Sequence, residues 1–591
     1  MFGATWTRLC RPVYSRVFGA AGFIGRWTML HLLDQGRTVA AVVREPARGR
    51  MGASAEGELR AWLQDHGVAA ERLAVVTGDL TDGAGLGLSA ADDERLAGVR
   101  DVFNTAAIYR FGLRRQEARA VNVEGALNVL RWGATRPGLR RLVHVPGYRV
   151  GLSPQARYPL PEAELMRLYR GKGAYEGSKV EGDAAVRVVA AQLGVPLTVV
   201  NPSSVIGHST TGETDQYIGL AELVRDLWTG RLPALPGTAR TFVPVVAVDH
   251  FAKFMAAIPE HDPEPGRLHW VLDENTPDLP DMIRLLAGHL GVRAPRTLVP
   301  VALIRRLPTA LTGANPETLA FLTEDRYDTA SAERVAEAAG LRQPPVETAL
   351  RRWADRLVAD RFGTASAVLP GGFHEVAGSR TYAAGDRTSP DFVLLHGLPL
   401  DGESWQGVLS EPDEAPTLVT DLPGLGRSAP TAATPLDWLT DLLAPVRTRP
   451  VIVAHSADRL ATSLLGSSGA SSDGAHRAIA SAAAQLHRPG VARRTAHWLR
   501  AANHPTERAT LQALLSGTKP VSVPVHIVAG QLDLLVGDPG PATVTTIPAT
   551  GHHPHLTHPS AIAAIMRRIA GGSTRRDTEG TQPTIVRPLE P

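Results

Sequence analysis

Short apolar runs punctuate the first 250 residues of the chain at intervals that leave room for one helix between each pair. Arg16 to Phe18, Thr38 to Val43, Leu73 to Thr77, Val102 to Ala106, Arg141 to Val145 and Leu197 to Val200 read as buried strands, and Phe23 to Leu33 reads as an amphipathic helix. That alternation predicts an α/β fold, a parallel sheet doubly wound by helices. Helical patterns dominate further on, as at Pro280 to Leu290 and Ala330 to Ala339, and predict a small helical substrate subdomain from residues 205–240 and 251–362. Leu369-Pro-Gly-Gly-Phe373 then breaks the pattern, and a second strand series starts near Phe392. The expected domains are 1–365, a linker 366–373, a second α/β domain 374–571, and a polar, aperiodic, disordered tail 572–591.

Composition narrows the class. The 591 residues are 43% apolar and 20% charged, ample for two large cores. With 62 basic and 59 acidic residues the net charge is only +3, and no basic stripe with interleaved aromatics argues for nucleic acid. The single cysteine, Cys10, excludes an internal disulfide and a cysteine-based metal centre, which favours a reducing compartment. The chain shows no apolar leader core and no run of about 18 uncharged apolar residues, so a soluble cytoplasmic enzyme without a membrane span is expected.

The first chemistry lies at Gly19-Ala-Ala-Gly22-Phe23-Ile24-Gly25, between a strand and a helix. Such a turn needs glycine where φ is positive and where a pyrophosphate meets the backbone, and the helix then offers its free N–H groups and dipole to the anion. The next strand ends in Arg44 rather than in an acid that would grip a ribose 2'-hydroxyl. Arg44 with Arg48 suits a 2'-phosphate, so the expected cofactor is NADP(H). Tyr175-Glu-Gly-Ser-Lys179 follows. With four lysines and nine tyrosines in the chain, that spacing arises by chance only about 0.06 times. On a helix the two side chains share a face, which places the Lys179 ammonium beside the Tyr175 phenol and makes Tyr175 a general acid.

These motifs, with Gly78-Asp79-Leu80, Asn104-Thr-Ala-Ala107 and Asn201-Pro-Ser-Ser204, resemble the extended short-chain dehydrogenase/reductases from Val17 to Phe362. The resemblance implies a Rossmann-type sheet and places Asp79 and Leu80 at the adenine, Ala106 under the nicotinamide, and Asn201, Pro202 and Ser204 at its closing side, with Lys179 on the ribose. One departure stands out. Where the family carries a serine or threonine before the tyrosine, this chain has Val145-Pro146-Gly147-Tyr148, and Tyr148, Ser203 or another group must supply the hydroxyl if reduction proceeds. A non-catalytic cofactor-binding half and an epimerase or dehydratase are the alternatives.

From Phe392 the chain resembles an α/β-hydrolase. Phe392 to Leu398 reads as a strand entering an oxyanion loop through His396-Gly397, and Asp421-Leu-Pro-Gly-Leu-Gly-Arg-Ser428 as the next turn. Val451 to Asp458 then resembles a nucleophile elbow around Ser456. Asp533 and His552 follow in the chain order of a triad, with Leu398 and Ala457 offering oxyanion N–H groups. Asp458 is larger than the residue usual after that turn, and His553, His555 and His558 crowd the last loop, where no metal is expected. The two halves together imply a bifunctional enzyme, an NADPH-dependent carbonyl reductase coupled to a serine hydrolase of an ester, thioester or lactone. A homodimer is compatible with the sequence, and a serine hydrolase with a silent amino half or a non-catalytic scaffold are the competing readings.

Overall fold

The computed structural model describes residues 15–44, 54–83, 85–108, 110, 112–150, 156–306, 319, 321–364, 368–397, 400–412, 415–455, 525–531, 543–550, 553–573 and 585–587. The chain divides into two compact units. The first comprises Met1–Ala221, Ala234–Leu286 and Pro295–Ala354, and the second Glu222–Pro233, Ala287–Ala294 and Asp355–Pro591.

In the first unit the strands are β1 (Ser15–Phe18), β2 (Val39–Val43), β3 (Leu73–Thr77), β4 (Asp101–Asn104), β5 (Arg141–His144), β6 (Leu197–Pro202), β7 (Ser204–Ile206), β8 (Leu235–Pro236), β9 (Val245–Ala247), β10 (Leu268–Val271) and β11 (Leu298–Val299). Seven of them form one sheet in the order β10-β6-β5-β4-β1-β2-β3, with every pairing parallel. The chain winds outward from β1 in both directions, so the order reverses between β1 and β4. Parallel sheets of this Rossmann type leave a crevice at the carboxyl ends of the strands flanking that reversal. Both faces are covered, which is why the strands read as continuous apolar runs rather than alternating ones. On one face Met29, Leu32 and Leu33 of the helix Phe23–Asp34 pack with Phe251, Phe254, Met255 and Ile258. On the other, Val123, Leu127 and Leu130 pack with Ala185, Val186 and Ala190.

One expectation is corrected. The helix Val248–His261 and strand β10 belong to the doubly wound core, not to a substrate subdomain. The reason is the spacing of Phe251, Phe254, Met255 and Ile258, which puts four large apolar side chains on one helix face and buries them against β1 and the first helix.

The second unit holds β12 (Gly371–Val376), β13 (Ser379–Gly385), β14 (Phe392–Leu395), β15 (Thr417–Thr420), β16 (Val451–Ala454), β17 (Val525–Gly530), β18 (Thr543–Ile547) and β19 (Ile585–Arg587). Among the described residues they form a sheet in the order β12-β13-β15-β14-β16-β19-β17-β18, antiparallel at its first two pairings and parallel after them. Trp438, Leu439 and Leu442 cover one face and Ile562, Ile565 and Met566 the other. Two sequence boundaries change here. The expected linker 366–373 runs into β12, because Gly371 lets the Tyr382 ring cross it, where a Cβ would meet the phenol oxygen at 2.2 Å. Within the expected disordered tail, Ile585-Val586 is β-branched and apolar, and it pairs parallel with both β16 and β17.

Candidate functional site

The glycine turn is built as a phosphate-binding turn requires. Gly19 has φ +75°, and a Cβ there would come within 2.8 Å of the Ala106 backbone, so only glycine passes under the end of β4. A Cβ on Gly25 would lie 2.1 Å from the Gly19 carbonyl oxygen, which brings the helix close against the turn. Gly22 donates to the Gly19 oxygen at 2.9 Å and caps the helix without any side-chain hydrogen bond, and no acidic residue stands in the first turn. Phe23 is buried against Trp27, Val248 and Ala252, with Ile24 packed beside them, so the helix start is anchored while its N–H dipoles carry no competing anion.

The neighbouring strand ends complete this edge. The Thr105 hydroxyl donates to the Phe18 oxygen at 2.7 Å and ties the end of β4 to β1. Asp79 accepts from the Thr81 N–H at 2.8 Å and from the Thr81 hydroxyl at 2.7 Å. Burial pushes the Asp79 carboxyl up, but those hydrogen bonds and the charge of Arg44 outweigh it and hold the group below its usual range. Arg44 is exposed at the end of β2. The Leu80 carbonyl accepts from Asn128 at 2.9 Å. Asn201 lies fully buried at the end of β6 with neither amide atom bonded, Pro202 closes that strand, and the buried Ser203 hydroxyl likewise has no partner. Ser204 opens β7. Arg48 lies outside the described residues.

Tyr175 and Lys179 sit in the long helix Glu162–Leu193, one turn apart, with the ammonium 6.0 Å from the phenol ring centroid. The helix breaks at Gly173, where φ is +78° and ψ 178°, so Tyr175 falls in the first turn of its second piece. Burial pushes the Lys179 ammonium down to about 8. It also pushes His144, at the end of β5, down to about 3, with the Lys179 charge adding to the effect. His144 is therefore neutral at physiological pH, with its Nδ1 3.3 Å from the Asn104 amide nitrogen. Past Pro146 and Gly147, the Tyr148 hydroxyl is buried and unbonded, its phenol raised by burial and held protonated. Its ring meets Tyr327 edge-on at 4.6 Å, and Tyr327 stacks on Trp270.

Sequence reasoning missed Asn122. It sits in a π-helical stretch, Ala120–Gly125, where its side-chain oxygen accepts from the Ile108 N–H at 3.1 Å and its nitrogen donates to the Ser178 hydroxyl at 2.9 Å. Ser178 in turn donates to the Tyr175 carbonyl oxygen at 2.8 Å. A Cβ on Gly182 would lie 2.2 Å from the Asn122 oxygen, so the two helices touch backbone to backbone. The only local signal was a pair of asparagines, Asn122 and Asn128, in the mostly apolar stretch Val121 to Leu130.

In the second unit Ser456, Asp533, His552, Leu398 and Ala457 all lie outside the described residues, as does Asp458. The described surroundings are a buried polar frame. His396 accepts from the Leu422 N–H through Nε2 at 2.9 Å, with Nδ1 3.1 Å from the Gly397 oxygen. Burial lowers its pKa, so it staples β14 to the turn after β15 as a neutral ring. Asp421 takes hydrogen bonds from the Gly402 N–H and from the backbone and guanidinium of Arg427, each at 2.8 Å. His455, at the end of β16, has its ring 4.3 Å from that of His555 and 4.9 Å from that of His553, all three buried. Among the described residues no cluster could hold a metal, and no helix is long and apolar enough to cross a membrane.

A doubly wound parallel sheet with a glycine turn at its switch point and a Tyr–Lys pair one turn apart is the arrangement of a Rossmann-like, NAD(P)-binding domain. Residues 17–255 match the family described as Male sterility protein, which has an NAD-binding domain. Over 288 residues the chain is 26% identical to Tetraketide alpha-pyrone reductase 1 of Arabidopsis thaliana, covering 46% of this chain and 79% of that protein. It is also 26% identical over 200 residues to the Dihydroflavonol 4-reductase of Zea mays, covering 32% of this chain and 52% of that one. Among solved structures, the terminal R domain from the myxalamid PKS-NRPS biosynthetic pathway is 20% identical with a TM-score of 0.47, covering 61% of this chain and 94% of that one.

Proposed function

We propose that the first unit is an NADPH-dependent reductase of a ketone or aldehyde. The observation that carries this reading is the uncapped, acid-free helix start at Gly22 together with Tyr175 and Lys179 one turn apart. The residues fit the cofactor: Gly19, Gly22 and Gly25 with Phe23 and Ile24 would hold its pyrophosphate, Arg44 and Arg48 a 2'-phosphate, and Asp79 and Leu80 the adenine side. Ala106, Asn201, Pro202 and Ser204 would surround the nicotinamide, and the unbonded Asn201 amide gives that region a polar contact to offer. When bound, the nicotinamide supplies hydride to the carbonyl carbon. Tyr175 delivers the proton to the carbonyl oxygen, and Lys179 stabilises the phenolate left behind. The names of the two relatives, Tetraketide alpha-pyrone reductase 1 and Dihydroflavonol 4-reductase, agree with a reductase.

Calorimetric titration of the whole protein tests the reading. NADPH should bind at micromolar concentration and NADH much more weakly, and Arg44→Ala should erase the difference. Equal or absent binding of the two sinks the NADPH assignment. Binding of NADPH with no oxidation across a panel of aldehydes and ketones points instead to a silent cofactor-binding half, which Pro146 and Gly147 would explain.

For the second unit we infer a serine hydrolase of an ester, thioester or lactone, with Ser456, His552 and Asp533 as nucleophile, base and acid. The reading is supported by β16, which lies beside β14 at the centre of a mixed sheet and ends two residues before Ser456. Labelling by a fluorophosphonate, lost in Ser456→Ala, is the expected result, and an unlabelled wild-type protein would overturn it.

A further inference from the structure

We propose that Tyr169 and Glu181 are positioning residues for Tyr175, because the helical piece before Gly173 is latched onto the piece that carries the phenol and sets where it stands relative to Lys179. The proposal rests on the reading of Tyr175 and Lys179 as the proton-donating pair. What packs and bonds from outside onto the first turn after a helix break helps to fix where that turn stands. Tyr175 is in such a turn, two residues past the left-handed break at Gly173.

The chain folds two contacts onto it. The Tyr169 ring lies against Gly177, where a Cβ would come within 3.0 Å of the ring edge, so the glycine of Tyr175-Glu-Gly-Ser-Lys179 is the seat of that ring. One turn further, the Tyr169 hydroxyl donates to the buried Glu181 carboxylate at 2.6 Å. Arg119 grips the same carboxylate with three hydrogen bonds, at 3.0, 2.9 and 2.7 Å. Three residues beyond Arg119, Asn122 reaches Ser178 and through it the Tyr175 carbonyl. The helical piece bearing Tyr175 is thus held at Ser178 and Glu181 by one short stretch, Arg119 to Asn122, and at Gly177 and Glu181 by Tyr169. Charged and titratable groups beside the latch include Arg119, Glu124, Arg115 above the Tyr169 ring, and Tyr158, and Lys179 lies beside Tyr175.

Trypsin cuts after Lys172 and Lys179, so the peptide Gly173 to Lys179 reports on Tyr175 alone. Tetranitromethane nitrates the phenolate, and its rate at that peptide, followed over pH on the full-length protein by mass spectrometry, reads the ionisation of Tyr175 without any substrate. In Tyr169→Phe the ring stays on Gly177 and only the bond to Glu181 is lost. The nitration midpoint should then rise by about one pH unit, a tenfold change in phenolate, as the phenol drifts from the Lys179 charge. NADPH affinity should change less than about twofold, since no cofactor contact is touched. Glu181→Gln should shift the midpoint the same way and serves if the first variant melts early. Midpoints unchanged in a folded variant overturn the latch. Lys179→Met is run in parallel: if it leaves the midpoint where it was, the pairing of Tyr175 with Lys179 fails, whatever the latch variants do.

Discussion

At the scale of single residues the amino-terminal edge of the first unit is over-determined. The 2.1 Å approach at Gly25 leaves no room for a methyl group and no flexible neighbour to yield, because the clashing atom is a backbone carbonyl. Gly25→Ala should therefore cost about 1–3 kcal/mol of stability and abolish detectable NADPH binding, read by thermal melting and calorimetry. Lys179 carries a different tension. Its ammonium titrates near 8 in the folded chain against 10.5 when unfolded, so between those values the unfolded state binds more protons and stability rises with pH. Below about 8 the buried charge is a standing penalty. Lys179→Met should therefore raise the melting temperature at pH 7 while removing reductase activity, and a lower melting temperature would show that the ammonium is well solvated. For the wild-type enzyme, turnover should fall as pH rises through about 8 and the lysine loses its charge.

At the scale of elements, the Tyr175 helix is placed by its neighbours more than by its own sequence. Asn122 ties it to the loop after β4, and Gly182 allows the contact. Asn122→Leu leaves the Ile108 N–H without its acceptor and takes the Asn122 donor from the Ser178 hydroxyl. It should cost about 1–3 kcal/mol in urea unfolding and lower kcat by about tenfold with little change in NADPH affinity. A loss confined to stability would make Asn122 a purely structural residue. π-Helical stretches often stand at functional sites, and here the extra residue aims an amide at the turn that carries the phenol.

At the scale of the molecule, each unit buries its own acid-sensitive charge. In the first, Asp262 accepts from Thr198 at 2.9 Å and meets Arg141 at 3.2 Å and His269 at 3.4 Å. Burial alone would raise its pKa, but these partners pull it below the usual carboxylate range, and in the second unit Arg427 does the same for Asp421. A carboxyl depressed in the folded state adds stability above its unfolded pKa near 4, and that stability is lost as pH falls below it. Both units should therefore weaken below about pH 4, with the acid transition of the first blunted in Asp262→Asn and that of the second in Asp421→Asn. Arg16 is the opposite case. Its guanidinium is wholly buried between Phe18 and Trp132 with no hydrogen-bonded nitrogen, and burial drives its pKa down to about 9. Arg16→Met keeps the volume and removes the charge, so it should raise the melting temperature by several degrees, on the order of 1–4 kcal/mol.

Six of the seven strands of the first sheet, the glycine turn and the Tyr175–Lys179 spacing were legible in the chain, because each is a local pattern: a period, a turn that only glycine can make, a spacing of four. Tertiary structure alone decided the rest. Arg119 and Glu181 are 62 positions apart, and Asn122 and Ser178 56 apart, so no window along the chain could pair them. The apolar face of Val248–His261 marked a helix but not the sheet it would cover, and Ile585-Val586 looked like part of a tail until β16 and β17 offered it an edge on either side. Local pattern determines which element a segment forms. Which buried donor finds which acceptor is settled only when distant segments are packed together, since an unpaired polar group is costly only after water has been excluded from it.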